Sequence, residues 1–341
     1  MATTLISVKL PPDIDPTKAR LAYGDRALPK LNRELNSDDL LTRQKALMSL
    51  CDAMHNPEYI CEGIRVGIAA SLKSLLKDAD ATVRHKTTEV LFIIAGHAVG
   101  RDAFLEHSII LPLSELFNDQ VYQARRNAHQ AIEMCSHTSP GTDGVVEANL
   151  LPILVGKLLE EQDEIKELIL DTLHYCMRVE TKQVLDSNGM EAFTKLLDHM
   201  DPSTRCKAAR DIMDLSFPLE GKDRAVDVGA VPPLVSLLRD NSAEVRAQAA
   251  GAIMTITITT KGKYAAIEAE AIPNLVSQLS DPVSDVRLNS LKAITTLAEA
   301  PIGRTTLLKS VKEVEKLVHD HDSPAVRKAA QIAVKVITWK P

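Results

Sequence analysis

Apolar residues recur along this chain in four-residue steps, and the stepped blocks return at a fixed distance. A basic residue marks the register at Arg43, Arg84, Arg125, Lys166, Arg205, Arg246, Arg287 and Arg327, with successive spacings of 41, 41, 41, 39, 41, 41 and 40. Three residues after each anchor stands a mostly small side chain (Ala46, Thr87, Ala128, Ile169, Ala208, Ala249, Ser290, Ala330). Seven after stands an aliphatic one (Leu50, Leu91, Ile132, Leu173, Ile212, Ile253, Ile294, Val334). Offsets of three and seven share one helical face, so each anchor belongs to an amphipathic helix. Twelve and eight residues before the anchor a second stripe appears, from Leu31 and Leu35 through Phe193 and Leu197 to Leu275 and Leu279. In the last unit those offsets hold Glu315 and His319. A shift of one residue recovers Val314 and Val318 and predicts a turn one residue longer before Arg327.

Turn and cap residues lie between the two stripes: Asp201-Pro202-Ser203, Asp240-Asn241-Ser242, Asp281-Pro282 and Ser323-Pro324. A short side-chain acceptor satisfies the first free N–H groups of a helix, and Pro there has no N–H to leave unpaired. Each unit therefore reads as helix, capped turn, helix. The segment Ile253–Thr259 alternates with period two and is β-branched, which in isolation reads as a strand. The register overrides this and predicts helix, fraying after Thr257.

Neither helix can bury its stripe alone, whereas stacked units form one continuous core in which each fully buried Leu or Ile contributes roughly 1.5–3 kcal/mol. A period near 41 falls in the range of armadillo and HEAT arrays. The expected fold is all-α, an armadillo/HEAT-type right-handed α-solenoid of about eight repeats over residues 21–341. Residues 1–20 are expected to form an extended arm, with Pro-rich sequence too poor in apolar residues to fold alone.

Composition narrows the function. A length of 341 residues would ordinarily suggest two domains, a division the repeat replaces. Aromatic residues are 3% and glycines 14, which favours helix over a β-sandwich. The balance of 40 basic against 46 acidic residues, net −6, gives no electrostatic footprint for nucleic acid or an anionic membrane. The longest uncharged run, Ala247–Thr260, is shorter than the roughly 18–20 residues of a membrane span. Met1–Leu10 does not read as a secretory signal. Cys51, Cys61, Cys135, Cys176 and Cys206 are odd in number and widely spread, as expected of free thiols in a reducing cytoplasm.

An acid stands six residues before the anchor in five units: Asp78 and Arg84, Asp119 and Arg125, Glu160 and Lys166, Asp240 and Arg246, Asp281 and Arg287. The spacing resembles the Asp and Arg ladder of HEAT-type repeats, in which charges of neighbouring units pair, and these ten residues are expected to be structural. Ser37 and His199 occupy the acidic offset in units one and five, with Asp198 a substitute beside His199.

By resemblance to armadillo proteins, positions five and nine after the anchor line a groove that binds partners. The first row holds Met48, Glu89, Gln130, Asp171, Arg210, Gly251, Lys292 and Ile332; the second holds Asp52, Ile93, Met134, Tyr175, Asp214, Thr255, Thr296 and Val336. Nuclear-import adaptors carry Trp and Asn there. Neither residue occurs in either row, which argues against capture of a basic import peptide.

Catalytic signals are thin. His319-Asp320-His321-Asp322 is the densest ligand-like run, but it lies in a turn and its register is structural. Cys135 and His137 lack a third, orienting group. Gly141-Thr142-Asp143-Gly144 reads as a turn between units and lacks the strand and Lys of a phosphate cradle. No enzyme activity, cofactor, metal or small-molecule substrate is expected.

The segments Pro11–Ala19, Asp39–Leu47, Lys86–Leu91, Gly262–Ala269 and Leu297–Arg304 resemble the radial spoke head protein 14 family, and they are spread from the arm to unit seven. The resemblance implies a non-catalytic scaffold of axonemal radial spokes in motile cilia and flagella. Such a scaffold would bind other spoke proteins and support ciliary and sperm motility, in the cytoplasm and cytoskeleton. The alternative is an armadillo adaptor that binds peptide cargo in transport or signalling.

Overall fold

A computed structural model describes residues 27–340; the expected arm falls outside them, apart from which the register can be followed throughout. Among the described residues every regular element is a helix. The anchors lie on eight long helices, numbered here α1 (Leu40–Ala53), α2 (Ala81–Ala95), α3 (Tyr122–Ser136), α4 (Asp163–Met177), α5 (Pro202–Leu215), α6 (Ala243–Ile256), α7 (Ser284–Leu297) and α8 (Pro324–Ile337). The chain divides into two compact units, Met1–Leu150 with α1–α3 and Leu151–Pro341 with α4–α8.

In the first unit α2 packs between α1 and α3; in the second, α4 to α8 pack in series. All eight residues of the small row are fully buried, because that row is where successive long helices approach each other. The aliphatic row is buried from Leu50 to Ile294, and Val334 is only partly covered. In the upstream stripe, Leu72, Leu113, Leu154, Phe193, Leu234 and Leu275 are fully buried. The predicted shift in the last repeat is present, with Val314 buried and Glu315 exposed. Helix α6 ends at Ile256, and Thr257 turns its hydroxyl back onto the Ile253 carbonyl at 2.7 Å, so the β-branched stretch is helical as far as the register carries it.

Caps fall where the turns predicted them, with one difference. Asp201 accepts from Thr204 N, Ser242 from Val245 N and Ser323 from Val326 N, with Pro202 and Pro324 opening their helices. Asp281 is not the cap of α7; Val283 holds that position and donates its N–H to the Asp281 carboxylate at 2.9 Å.

The repeat contains a third helix that the two-stripe reading missed. Short helices such as Ala98–Glu106, Leu219–Asp227 and Thr260–Glu268 precede the upstream helix of their repeats. Gly141–Gly144, read as a turn, lie inside one of them, Ser139–Glu147. A glycine stands sixteen residues after the anchor at Gly100, Gly141, Gly221, Gly262 and Gly303. A Cβ there would lie 1.8–2.2 Å from the carbonyl oxygen of the residue six earlier, at the end of the long helix. At these five positions only glycine fits, because any Cβ would overlap that carbonyl. Tyr59 and Lys182 hold the position in the first and fourth repeats; the helix at Lys182 runs only from Lys182 to Asp186, whereas Tyr59 lies in the nine-residue helix Pro57–Arg65.

Candidate functional site

The anchor arginines serve two neighbours at once. Arg84 donates through Nη1 to the Asp78 carbonyl in its own turn at 2.9 Å and pairs through Nε with Asp119 of the next repeat at 2.6 Å. Arg246 does the same with the Asp240 carbonyl and Asp281, and Arg205 with the His199 carbonyl and Asp240. Arg43 reaches Asp78 at 3.0 Å, and Arg287 reaches Asp320 at 2.9 Å. Asp78, Asp119, Asp240 and Asp281 thus each give a carbonyl to the Arg six residues on and a carboxylate to the Arg of the preceding repeat. Asp119 also accepts from Val121 N at 2.8 Å. Burial pushes its carboxyl up, but Arg84 and that N–H hold it below the usual carboxylate range. Arg125 donates to the Asp119 carbonyl and lies over the Tyr122 ring.

Glu160 and Lys166 depart from this pattern, pairing locally with Lys157 and Asp163. His199 replaces the missing acid: its Nδ1 accepts from Asp201 N at 3.1 Å, and its Nε2 meets Asp163 at 3.3 Å. The acid beside His199 is therefore Asp163; Asp198 is exposed. Asp320, from the ligand-like His/Asp run, belongs to Arg287, as does Asp322 at 3.1 Å.

The two candidate groove rows differ in burial. From the first, Met48, Lys292 and Ile332 are exposed, while Glu89 pairs with Lys86 and Gln130 accepts from Arg126. From the second, Ile93, Asp214 and Thr255 are buried, and Thr255 donates to the Gly251 carbonyl. Met134 and Tyr175 are half-buried, and Thr296 shares a 2.6 Å hydroxyl contact with Thr257; Asp52 is exposed. Lys292, Thr296 and Ile332 come together in a trough of about 440 Å³ across α6, α7 and α8, lined also by Met254, Leu288 and Lys328.

The densest polar cluster lies between α4 and α5. Asp171 takes Arg210 at 2.9 Å and Lys207 at 2.7 Å, and Lys207 also reaches Glu167 at 2.9 Å. Arg210 turns its Nε to Asp211 at 2.9 Å, and His174 Nδ1 lies 2.6 Å from Asp214. Burial pushes the Asp211 carboxyl well above its ordinary range against the pull of Arg210. Burial also opposes the charge of Arg210, yet Asp211 and Asp171 hold its pKa above the ordinary value. Arg210 is thus a neutralising group in a packed interface, which the row position alone does not reveal. Asp211 belongs to neither row and was missed; a carboxylate on the buried side of a helix, six after an anchor, was the available signal.

Residues 190–295 match the HEAT repeats family. Radial spoke protein 14 of Chlamydomonas reinhardtii is 27% identical over 123 residues, which are 36% of this chain and 32% of that protein. The chain thus aligns with about a third of that relative, a narrower likeness than segments spread along the whole chain implied. Among solved structures, an engineered protein from the Northeast Structural Genomics Consortium superposes with a TM-score of 0.85 at 24% identity, covering 92% of this chain and 79% of that one. A designed armadillo repeat protein in complex with a (KR)4 peptide gives 0.62 at 23% identity, over 67% of this chain and 99% of its own. No described helix is long and apolar enough to cross a membrane. By helix content, repeat register and these likenesses, the chain has the all-α armadillo/HEAT-type solenoid fold.

Proposed function

We propose that this chain is a non-catalytic scaffold of axonemal radial spokes in motile cilia and flagella, holding other spoke proteins through the exposed face of its long helices. The observation that carries this reading is the 27% identity to radial spoke protein 14 within a repeat fold whose helices leave extended surface for other chains. The α6–α8 trough supports a partner-binding role: Met254, Leu288 and Ile332 offer apolar contact, and Lys292 and Lys328 add positive charge to its lining. Asp171 and Arg210 are poor probes of that face, because reversing Arg210 would set two carboxylates against each other at the buried Asp211.

The test is a tagged chain in cells with motile cilia. The parent chain is expected to stay with salt-washed axonemes, and Ile332→Glu combined with Lys292→Glu is expected to release it while the circular dichroism spectrum is unchanged. A parent chain that washes off and captures short peptides tightly would instead favour a cargo adaptor. Retention of the double variant would remove the trough from the binding face.

A further inference from the structure

The cluster between α4 and α5 holds more negative charge than its cations balance. Among the described residues the ion pairs of Asp171, Asp211 and Glu167 run to Arg210 and Lys207 and that of Asp214 to His174, so even a protonated His174 leaves negative charge in excess. Asp211 is fully buried, and only one of its carboxylate oxygens, Oδ1, is taken, by Arg210; Oδ2 has no hydrogen-bond partner. A buried carboxylate oxygen in this state is costly, and its energy is recovered by a proton or a cation.

The neighbours of Asp211 point to the cation. A ring nitrogen of His174 and one carboxylate oxygen each of Asp211 and Asp214 lie within 4.8 Å of one another. Asp211 and Asp214 are three apart on α5, so both project from one helical face, and His174 enters from α4 of the preceding repeat. We propose that His174, Asp211 and Asp214 form a site for a divalent transition metal of the Zn²⁺ class. One imidazole nitrogen with two carboxylate oxygens suits Zn²⁺ better than Mg²⁺ or Ca²⁺, which take oxygen ligands. Arg210 on Oδ1 then acts as the outer partner that orients the Asp211 carboxylate.

The geometry is within reach. Ligand atoms about 2.1 Å from a tetrahedral Zn²⁺ sit about 3.4 Å apart, so the 2.6 Å contact of His174 with Asp214 must open and the wider separations close. The His174 side chain is 26% exposed, which leaves the ring room to move and the ion a path in. Water completes the fourth position. Bound metal would clamp α4 to α5 and add stiffness to one inter-repeat contact of the Leu151–Pro341 unit. The site does not depend on the axonemal reading and is tested on the isolated chain.

The full-length chain, stripped with a chelator, is titrated with Zn²⁺ and with Co²⁺ as a spectroscopic probe. The expected result is one equivalent per chain, Co²⁺ d–d bands without thiolate charge transfer, and a thermal midpoint that rises with Zn²⁺. Asp211→Asn and His174→Gln should each weaken binding by roughly tenfold or more. If Asp211→Asn fails to fold, His174→Gln, a change at a partly exposed position, carries the test. Absence of uptake, affinity unchanged in His174→Gln, or a thiolate band assigning the ion to cysteine would each overturn the proposal.

Discussion

The glycine sixteen residues after the anchor makes a prediction whose sign differs from that of an ordinary helical glycine. At Gly221 an added Cβ would stand 1.8 Å from the Leu215 carbonyl oxygen and 2.9 Å from its carbon. Ordinary contact begins near about 3.4 Å, so helix Leu219–Asp227 would have to move by about 1.5 Å against backbone, which yields less than a side chain does. Gly221→Ala is therefore expected to cost about 3–5 kcal/mol, the upper end for a single substitution. Gly156, exposed in helix Leu151–Leu158, has nothing within 4 Å of the same added atom. There the alanine gains about 0.5–1 kcal/mol by restricting the unfolded chain. The assay is thermal and urea unfolding followed by far-UV circular dichroism. The entropy of unfolding of about 2.1 cal/mol/K per residue, over the Leu151–Pro341 unit, translates a 4 kcal/mol loss into a midpoint fall of about 10 °C for Gly221→Ala. Gly156→Ala should rise by about 1–2 °C on the same scale. A Gly221→Ala midpoint within about 2 °C of the parent would refute the close-approach argument.

Two further predictions concern charge and thiols. A double-mutant cycle of Arg84→Met with Asp119→Asn should give a coupling of about 1–2 kcal/mol, above the median of exposed pairs because Asp119 is only 3% exposed and Arg84 20%. The folded pKa of Asp119 lies below its ordinary value, so this stabilisation is fully present above the unfolded carboxylate pKa of about 3.9 and is lost as pH falls through the lower folded value. Stability measured across that acid range should vary less steeply with pH in Asp119→Asn than in the parent; an identical slope would count against the pairing. Among the thiols, burial pushes Cys51 and Cys135 up to about 12, while Cys61 is exposed. In the native chain at pH 8, iodoacetamide should label Cys61 and spare Cys51 and Cys135 until the protein unfolds, a pattern peptide mass analysis reads directly.

Much of the fold was written in the linear register. A helix two residues out of phase, a rotation of about 200°, would expose Ala46, Ala128 and Ala208 together, so a 41-residue period in small and aliphatic positions forces which faces pack. The short third helix escaped because stretches such as Leu219–Asp227 are mostly polar and bury little apolar side chain beyond Ala225; their signal was a glycine whose need arises from a carbonyl of the preceding helix. Likewise, an acid six before an Arg suggested a contact, but not that the Arg takes the carbonyl of its own turn and the carboxylate of the next.

Sequence by itself therefore determined the helical class, the repeat length and the buried rows, because those follow from periodicity within one helix and its recurrence. Tertiary structure decided the rest. His174 and Asp214 are 40 residues apart and meet at 2.6 Å only because α4 packs on α5, and the same packing buries Asp211 with one oxygen unsatisfied. Position in a repeat fixes which way a side chain points. What it meets there is set by the neighbouring repeat, whose sequence at that offset is free to differ.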